Sequence, residues 1–287
     1  MKRALFLVCL AALLMPAAAR AADAGIGASF KGPLGLQLYS LRDSFSKDVP
    51  GTLKQVYDFG FRTVELAGTY GKSPEEFAAM LKAAGLKAVA GHFSYETFRD
   101  HPETIAQEAK ALGLEWAGTA WVPHSGPVTE TWARETAKVF NHAGEVLAQH
   151  GIKFFYHNHG YEFVPLAQGT VFDVLVQETQ PGRVYFEMDV MWTVFPGQDP
   201  ARLLEKYPGR WGLMHVKDLK KGVPTGSLAG STDVHNDVVV GTGQTDWVAL
   251  LRAAQKVGVK HYFIEDESPS VREQIPQSLK FLETVKF

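Results

Sequence analysis

Four side chains able to bind a cation recur along this chain: His157, Asp189, His215 and Glu265, separated by 32, 26 and 50 residues. Each stands at or near the end of a short apolar run. Burying such groups unpaired is costly, so their recurrence at the ends of apolar runs marks a metal or acid–base site. A carboxylate–imidazole set suits one divalent ion such as Mn, Co, Zn or Mg. Glu162, five residues past His157 in FFYHNHGYEF, reaches toward the same ion from a loop. Each group also has a structural reading. Asp189 suits a helix N-cap, His215 a satisfied core histidine, and Lys217–Asp218 a surface ion pair.

More chemistry stands at equivalent positions. Glu65 and His92 end two earlier apolar runs and suit contacts with substrate hydroxyls. Trp121 and Trp192 offer faces on which a sugar ring stacks, or simply pack. Asn158 and His159 orient a ligand or bind a hydroxyl. Lys217 holds a substrate oxygen or assists proton transfer. Glu162, Glu265 and His159 are the candidate bases.

The elements that must position these groups repeat eight times. Short apolar strands read LGLQLY (34–39), FRTVEL (61–66), LKAVAGH (86–92), WAGTAW (116–121), IKFFYH (152–157), VYFEMD (184–189), GLMHVK (212–217) and HYFIE (261–265). Helical stretches lie between them. Ser73-Pro74-Glu75-Glu76 joins an N-cap to Pro at the first helical position, and Thr129 or Thr131 opens the longest helix. Glycines at 60, 85, 113, 151 and 258 end helices just before strands. Strands alternating with helices give βαβ units and parallel sheet. No G-x-G-x-x-G follows the first strand, so a dinucleotide fold has no support. Eight units over residues 34–287 predict an α/β fold, a single-domain (β/α)8 TIM barrel, with its reactive face at the C-terminal strand ends. The stretch 218–244 is rich in Gly, Ser, Thr and Asp and reads as a long active-site loop.

Residues 1–21 begin with Lys2 and Arg3, continue through the apolar run 4–15 and end in Ala19-Arg20-Ala21. That is a secretory signal cut after Ala21, followed by a linker over 22–33. The expected location is the periplasm or outside the cell. The only cysteine, Cys9, lies in this leader. Disulfides, a cysteine nucleophile and thiolate metal sites are therefore excluded from the mature chain. A net charge of −2 gives no electrostatic case for nucleic acid. No second apolar run is long enough for a membrane span.

FYHNHGYEF, EMDVMW with GQDP, MHVKD, VVVGTGQTDW and HYFIEDESP together resemble the xylose-isomerase-like superfamily of sugar isomerases, epimerases and AP endonucleases, and within it the secreted sugar phosphate isomerase/epimerase branch. The resemblance implies a (β/α)8 barrel and a metal set of Glu, Asp, His and Glu on strands five to eight. Carried over, it gives Asp189, His215 and Glu265. The glutamate position of strand five falls on His157, leaving His157 or Glu162 as the first ligand. Trp192 stands where relatives with several zinc ions carry histidine, which implies one metal and argues against DNA repair.

The implied function is a metal-dependent isomerase or epimerase acting on a keto-sugar or glycoside through an enediolate. A 3-keto-glycoside lyase or hydratase uses the same intermediate. A non-catalytic sugar-binding protein uses the same mouth without turnover.

Overall fold

The computed structural model describes residues 24–287. The expected signal sequence lies outside the described residues. Within residues 24–33, Phe30 is buried edge-on against Tyr262, ring centres 5.1 Å apart, so this segment packs beneath the barrel.

Eight parallel strands close into a barrel: β1 (Leu34–Gln37), β2 (Thr63–Leu66), β3 (Lys87–His92), β4 (Trp116–Thr119), β5 (Lys153–His157), β6 (Val184–Asp189), β7 (Trp211–Val216) and β10 (His261–Ile264). Between β7 and β10, β8 (Asp218–Leu219) and β9 (Asp237–Val238) form a small antiparallel ribbon outside the barrel. The closed single-domain architecture is the one the eightfold alternation predicts. The first strand ends two residues early, because Leu38–Leu41 turn into a 3-10 helix capped by the Gln37 side chain.

The apolar stretch of β5 is explained by its two faces. Phe154 and Tyr156 face outward, where Phe140 of the helix Glu130–Gln149 packs on both at 4.9 Å. Phe155 and His157 face inward. That helix buries Ala133, Ala137, Phe140, Gly144 and Leu147, a stripe at helical spacing. Thr129 opens it by accepting the Trp132 backbone N–H at 3.2 Å. Cutting Phe140 to alanine would cost about 3–5 kcal/mol.

Inside the barrel, Trp116, Phe155, Leu213 and Phe263 form a separate plug with Val89 and Ala90. Glycine makes room for it. A Cβ at Gly212 would stand 2.6 Å from the Trp116 ring, and one at Gly118 would stand 2.6 Å from that of Phe155. The plug fills the barrel below the reactive end, so polar side chains are confined to the layer above it.

Candidate active site

Register builds that polar layer. Gln37 pairs with Glu65, His157 with Glu187, and Asp189 with His215 across neighbouring strands. The pairing of β6 with β7 shifts between Phe186 and Glu187. Such irregularities re-aim side chains beside active sites. Glu187 and Asp189, two residues apart, both turn inward and are fully buried.

His215 is the hinge of the arrangement. Its Nδ1 lies 3.3 Å from Glu265 Oε2 and 3.7 Å from Asp189 Oδ2. Its Nε2 lies 2.5 Å from Glu65 Oε2 and 3.2 Å from Glu187 Oε2. Burial alone would push the His215 imidazole down, but Glu187, Glu265 and Glu65 outweigh it and hold it well above the usual range. Burial would push Glu187 up, but His215, His157 and His92 hold it well below.

Two groups of donor atoms result, each within 4.8 Å: Asp189, His215 and Glu265, and His92, His157, Glu187 and His215. Asp189 serves two purposes. Its Oδ1 accepts the Trp192 N–H at 2.7 Å, capping a short helix. Its Oδ2 is buried and has no hydrogen-bond partner among the described residues. A buried carboxylate oxygen without a partner, facing an imidazole nitrogen and a second carboxylate, fits a divalent ion of the Mn, Co, Zn or Mg kind. Asp189, His215 and Glu265 are the residues that would hold it.

The other expected ligands are placed differently. His157 belongs to the second group, its Nδ1 3.3 Å from Glu187 Oε2. Glu162 is fully buried, accepting the Tyr156 hydroxyl and the His159 backbone N–H at 2.9 Å. Burial raises its carboxyl to about 7 against those two hydrogen bonds. The structure does not bring Glu162 into either group. Asn158 is likewise a brace: its Oδ1 accepts the Asp189 N–H at 3.2 Å and its amide donates to Thr193 Oγ1 at 3.3 Å.

Above the polar layer opens a chamber of about 620 Å3. His92, Trp121, His157, His159, Trp192, Lys217 and Glu265 line it, so seven of the expected residues share one cavity. Lys217 is fully buried, donating to Glu265 Oε2 at 3.0 Å and to Glu267, with Asp237 Oδ2 at 3.8 Å. Burial opposes its charge, but Glu265, Glu267 and Asp237 outweigh it and hold the ammonium well above its usual value. Burial, His157 and Lys217 drive His159 the other way, well below 6.5, so its imidazole is neutral. His92 is raised to about 9, because Glu65 and Glu187 outweigh its burial. Trp121 and Tyr39 are the exposed aromatics of the mouth, at 46% and 43%. The 218–244 loop forms a wall through Gly230–Val234 and Asp237. Gly230 sits so close to Trp121 that a Cβ would lie 2.7 Å from its ring. Asp218 fixes the base of this loop, accepting the Gly241 and Gly243 N–H groups and the Trp247 indole.

Sequence reasoning missed Glu187, Arg42, Asp237 and Glu267. Glu187 carried a signal: in VYFEMD it is two residues from Asp189 and therefore on the same strand face.

Fold and site together define a (β/α)8 barrel with a carboxylate–imidazole centre at its C-terminal mouth. The chain belongs to the xylose isomerase-like TIM barrel family, whose model matches residues 53–285. It is 25% identical over 205 residues to an inosose dehydratase of Geobacillus kaustophilus, covering 64% of this chain and 65% of that protein. Two structures described as sugar phosphate isomerase/epimerase from Parabacteroides distasonis superpose with TM-scores of 0.73 and 0.71, at 24% and 26% identity. They cover 93% and 88% of this chain, and 98% of each of theirs. An IolI protein solved with a zinc atom shares the fold, with a TM-score of 0.66 at 14% identity, covering 87% of this chain and 95% of its own. Among the described residues, no helix is long and apolar enough to cross a membrane.

Proposed function

We infer that the protein is a metal-dependent enzyme that removes a proton beside the carbonyl of a polyhydroxylated ketone, a keto-sugar or glycoside. The reading rests on one observation above all: the partnerless Asp189 Oδ2 beside His215 Nδ1 and Glu265, under a chamber holding a neutral imidazole and a fixed ammonium. Asp189, His215 and Glu265 would hold a divalent ion, which would supply Lewis-acid polarisation of a carbonyl when bound.

The chain's own groups do the rest. Trp121 and Tyr39 hold the sugar ring by its faces. Lys217 donates a hydrogen bond from Nζ to a substrate oxygen. The neutral His159 imidazole takes the proton from the carbon beside the carbonyl. The electron pair left behind moves toward the carbonyl oxygen and gives an enediolate. Returning the proton to the neighbouring carbon isomerises the sugar, and returning it to the opposite face epimerises it. A second outcome is favoured by the inosose dehydratase relatives: loss of the β-hydroxyl, with His92 as the charged acid that protonates the departing oxygen. The leader reads as periplasmic, where free sugars and glycosides suit this chemistry better than phosphorylated intermediates.

The test is proton exchange. Metal-loaded protein is incubated with 3-keto-glucosides, ketohexoses and inososes in D2O, and deuterium is read at the carbon beside the carbonyl. Incorporation into at least one ketone is expected, and the product then separates isomerisation, epimerisation and elimination. Bound metal with no exchange on any ketone would overturn the enzymatic reading and leave a sugar-binding protein.

A further inference from the structure

The chamber over the metal residues is not the end of the cleft. A second cavity of about 630 Å3 adjoins it, between the segment Ser40–Gln55 and the start of the helix Val271–Thr284. The two share Arg42, Val234 and Glu267 as common walls. Each alone falls in the range, about 300–1,000 Å3, that holds a whole small ligand. A single sugar ring therefore leaves the cleft half filled.

Arg42 stands at the junction. Its guanidinium lies 4.5 Å from the centre of the Tyr39 ring, and it donates to the carbonyls of Tyr39 at 3.1 Å and Glu267 at 3.3 Å. Those bonds use two of its five N–H donors, and the others have no acceptor among the described residues. Beyond it, the second cavity carries both signs of charge. Lys47 and Arg272 stand with Asp43, Asp48, Ser44 and Gln55. Arg272 donates to Ser44 Oγ at 3.0 Å and Asp48 Oδ1 accepts the Gly51 N–H at 3.0 Å, which leaves the remaining donors and acceptors of these groups to a ligand. Mixed donors and acceptors match hydroxyl groups, each of which gives one hydrogen bond and accepts two. A flat aromatic unit would strand these groups, and a charged unit of either sign would meet like charge in Asp43 and Asp48 or in Lys47 and Arg272.

We propose that the substrate is a glycoside of at least two sugar units, with the reacting ring over Asp189, His215 and Glu265 and a second, uncharged sugar in the cavity beyond Arg42. This rests on the reading above for the identity of the first chamber, and its test uses binding so that the two stand or fall separately.

The probes are unoxidised sugars bound to the purified protein and followed by calorimetry and ligand-observed NMR. Methyl α- and β-glucoside represent one ring. Cellobiose, maltose and trehalose represent two. 4-Nitrophenyl β-glucoside and glucose 1-phosphate carry an aromatic and an anionic second group. At least one disaccharide is expected to bind about tenfold or more tighter than either methyl glucoside. Ser44→Trp, which fills the second cavity, should erase that advantage and leave methyl glucoside binding unchanged. Arg272→Ala should reduce the advantage severalfold, and it serves if the tryptophan variant does not fold. No disaccharide preference, a preference that survives both variants, or tightest binding of the nitrophenyl or phosphate probe would each overturn the proposal. Disaccharide preference without proton exchange on any ketone would instead remove the catalytic reading and leave the second subsite standing.

Discussion

Asp189 and His215 face each other in register across β6 and β7, with Oδ2 of the one 3.7 Å from Nδ1 of the other. The other oxygen of Asp189 caps the helix that follows β6. One side chain thus ends a strand, starts a helix and presents a free lone pair to the imidazole.

The two duties of Asp189 separate by substitution. Asp189→Asn keeps an oxygen for the Trp192 N–H but loses the ligand charge. It should retain the melting temperature to within a few degrees and lose most of its metal on dialysis, read by elemental mass spectrometry. Asp189→Ala should lose the metal and, with the cap gone, about a further 1 kcal/mol of stability. Full metal occupancy in both variants would remove Asp189 from the ligand set.

Glu65 should act on the metal through His215. Its carboxylate is held by the Gln37 amide at 2.7 Å and meets His215 Nε2, the nitrogen that faces away from Asp189 and Glu265. Partners of this kind fix the tautomer and direction of a ligating ring. Glu65→Gln is expected to weaken metal affinity by about 10–100-fold with the fold intact. An unchanged affinity, measured by competition with a chelating dye, would break that link.

Glu162→Ala should behave as a structural lesion. It leaves the Tyr156 hydroxyl and the His159 N–H without their acceptor. The expected loss is about 1–3 kcal/mol in urea unfolding, with metal content preserved. Loss of the metal with stability unchanged would reverse the assignment and add Glu162 to the metal ligands.

Asp173 offers a pH test away from the site. Burial would raise its carboxyl, but Lys206 Nζ at 2.7 Å, the Tyr207 hydroxyl at 2.6 Å and the Thr170 N–H at 2.8 Å outweigh it and hold it below the usual value. A folded-state value below the unfolded one means stability that is present in full above the unfolded value and lost as pH falls through the folded one. Asp173→Asn should therefore be less stable than the parent at pH 7, by about 1 kcal/mol, and the gap should close as pH falls through the folded-state value. A gap independent of pH would show that the charge contributes nothing.

Much of this was legible before the fold. Helix-ending glycines and apolar runs marked all eight barrel strands, because period and punctuation are local properties. Asp189 and Glu265 stood out because each ends a run, and His215 because it is the one histidine of its run. Glu187 did not, since it sits inside its run, and its partners His92 and His157 come from β3 and β5. The placement of Glu162 depended on Tyr156, a neighbour in sequence whose hydroxyl is aimed by the pleat. The second cavity was beyond reach, since Arg42 and Glu267 meet across 225 residues of chain.

The aromatic plug of Trp116, Phe155 and Phe263 has a kinetic consequence. It blocks any passage through the barrel axis, so the site has no back door. Whatever is released must depart through the opening that admits the next molecule. In the proposed reaction, product and fresh reactant therefore share one doorway, and neither can pass while the other occupies it.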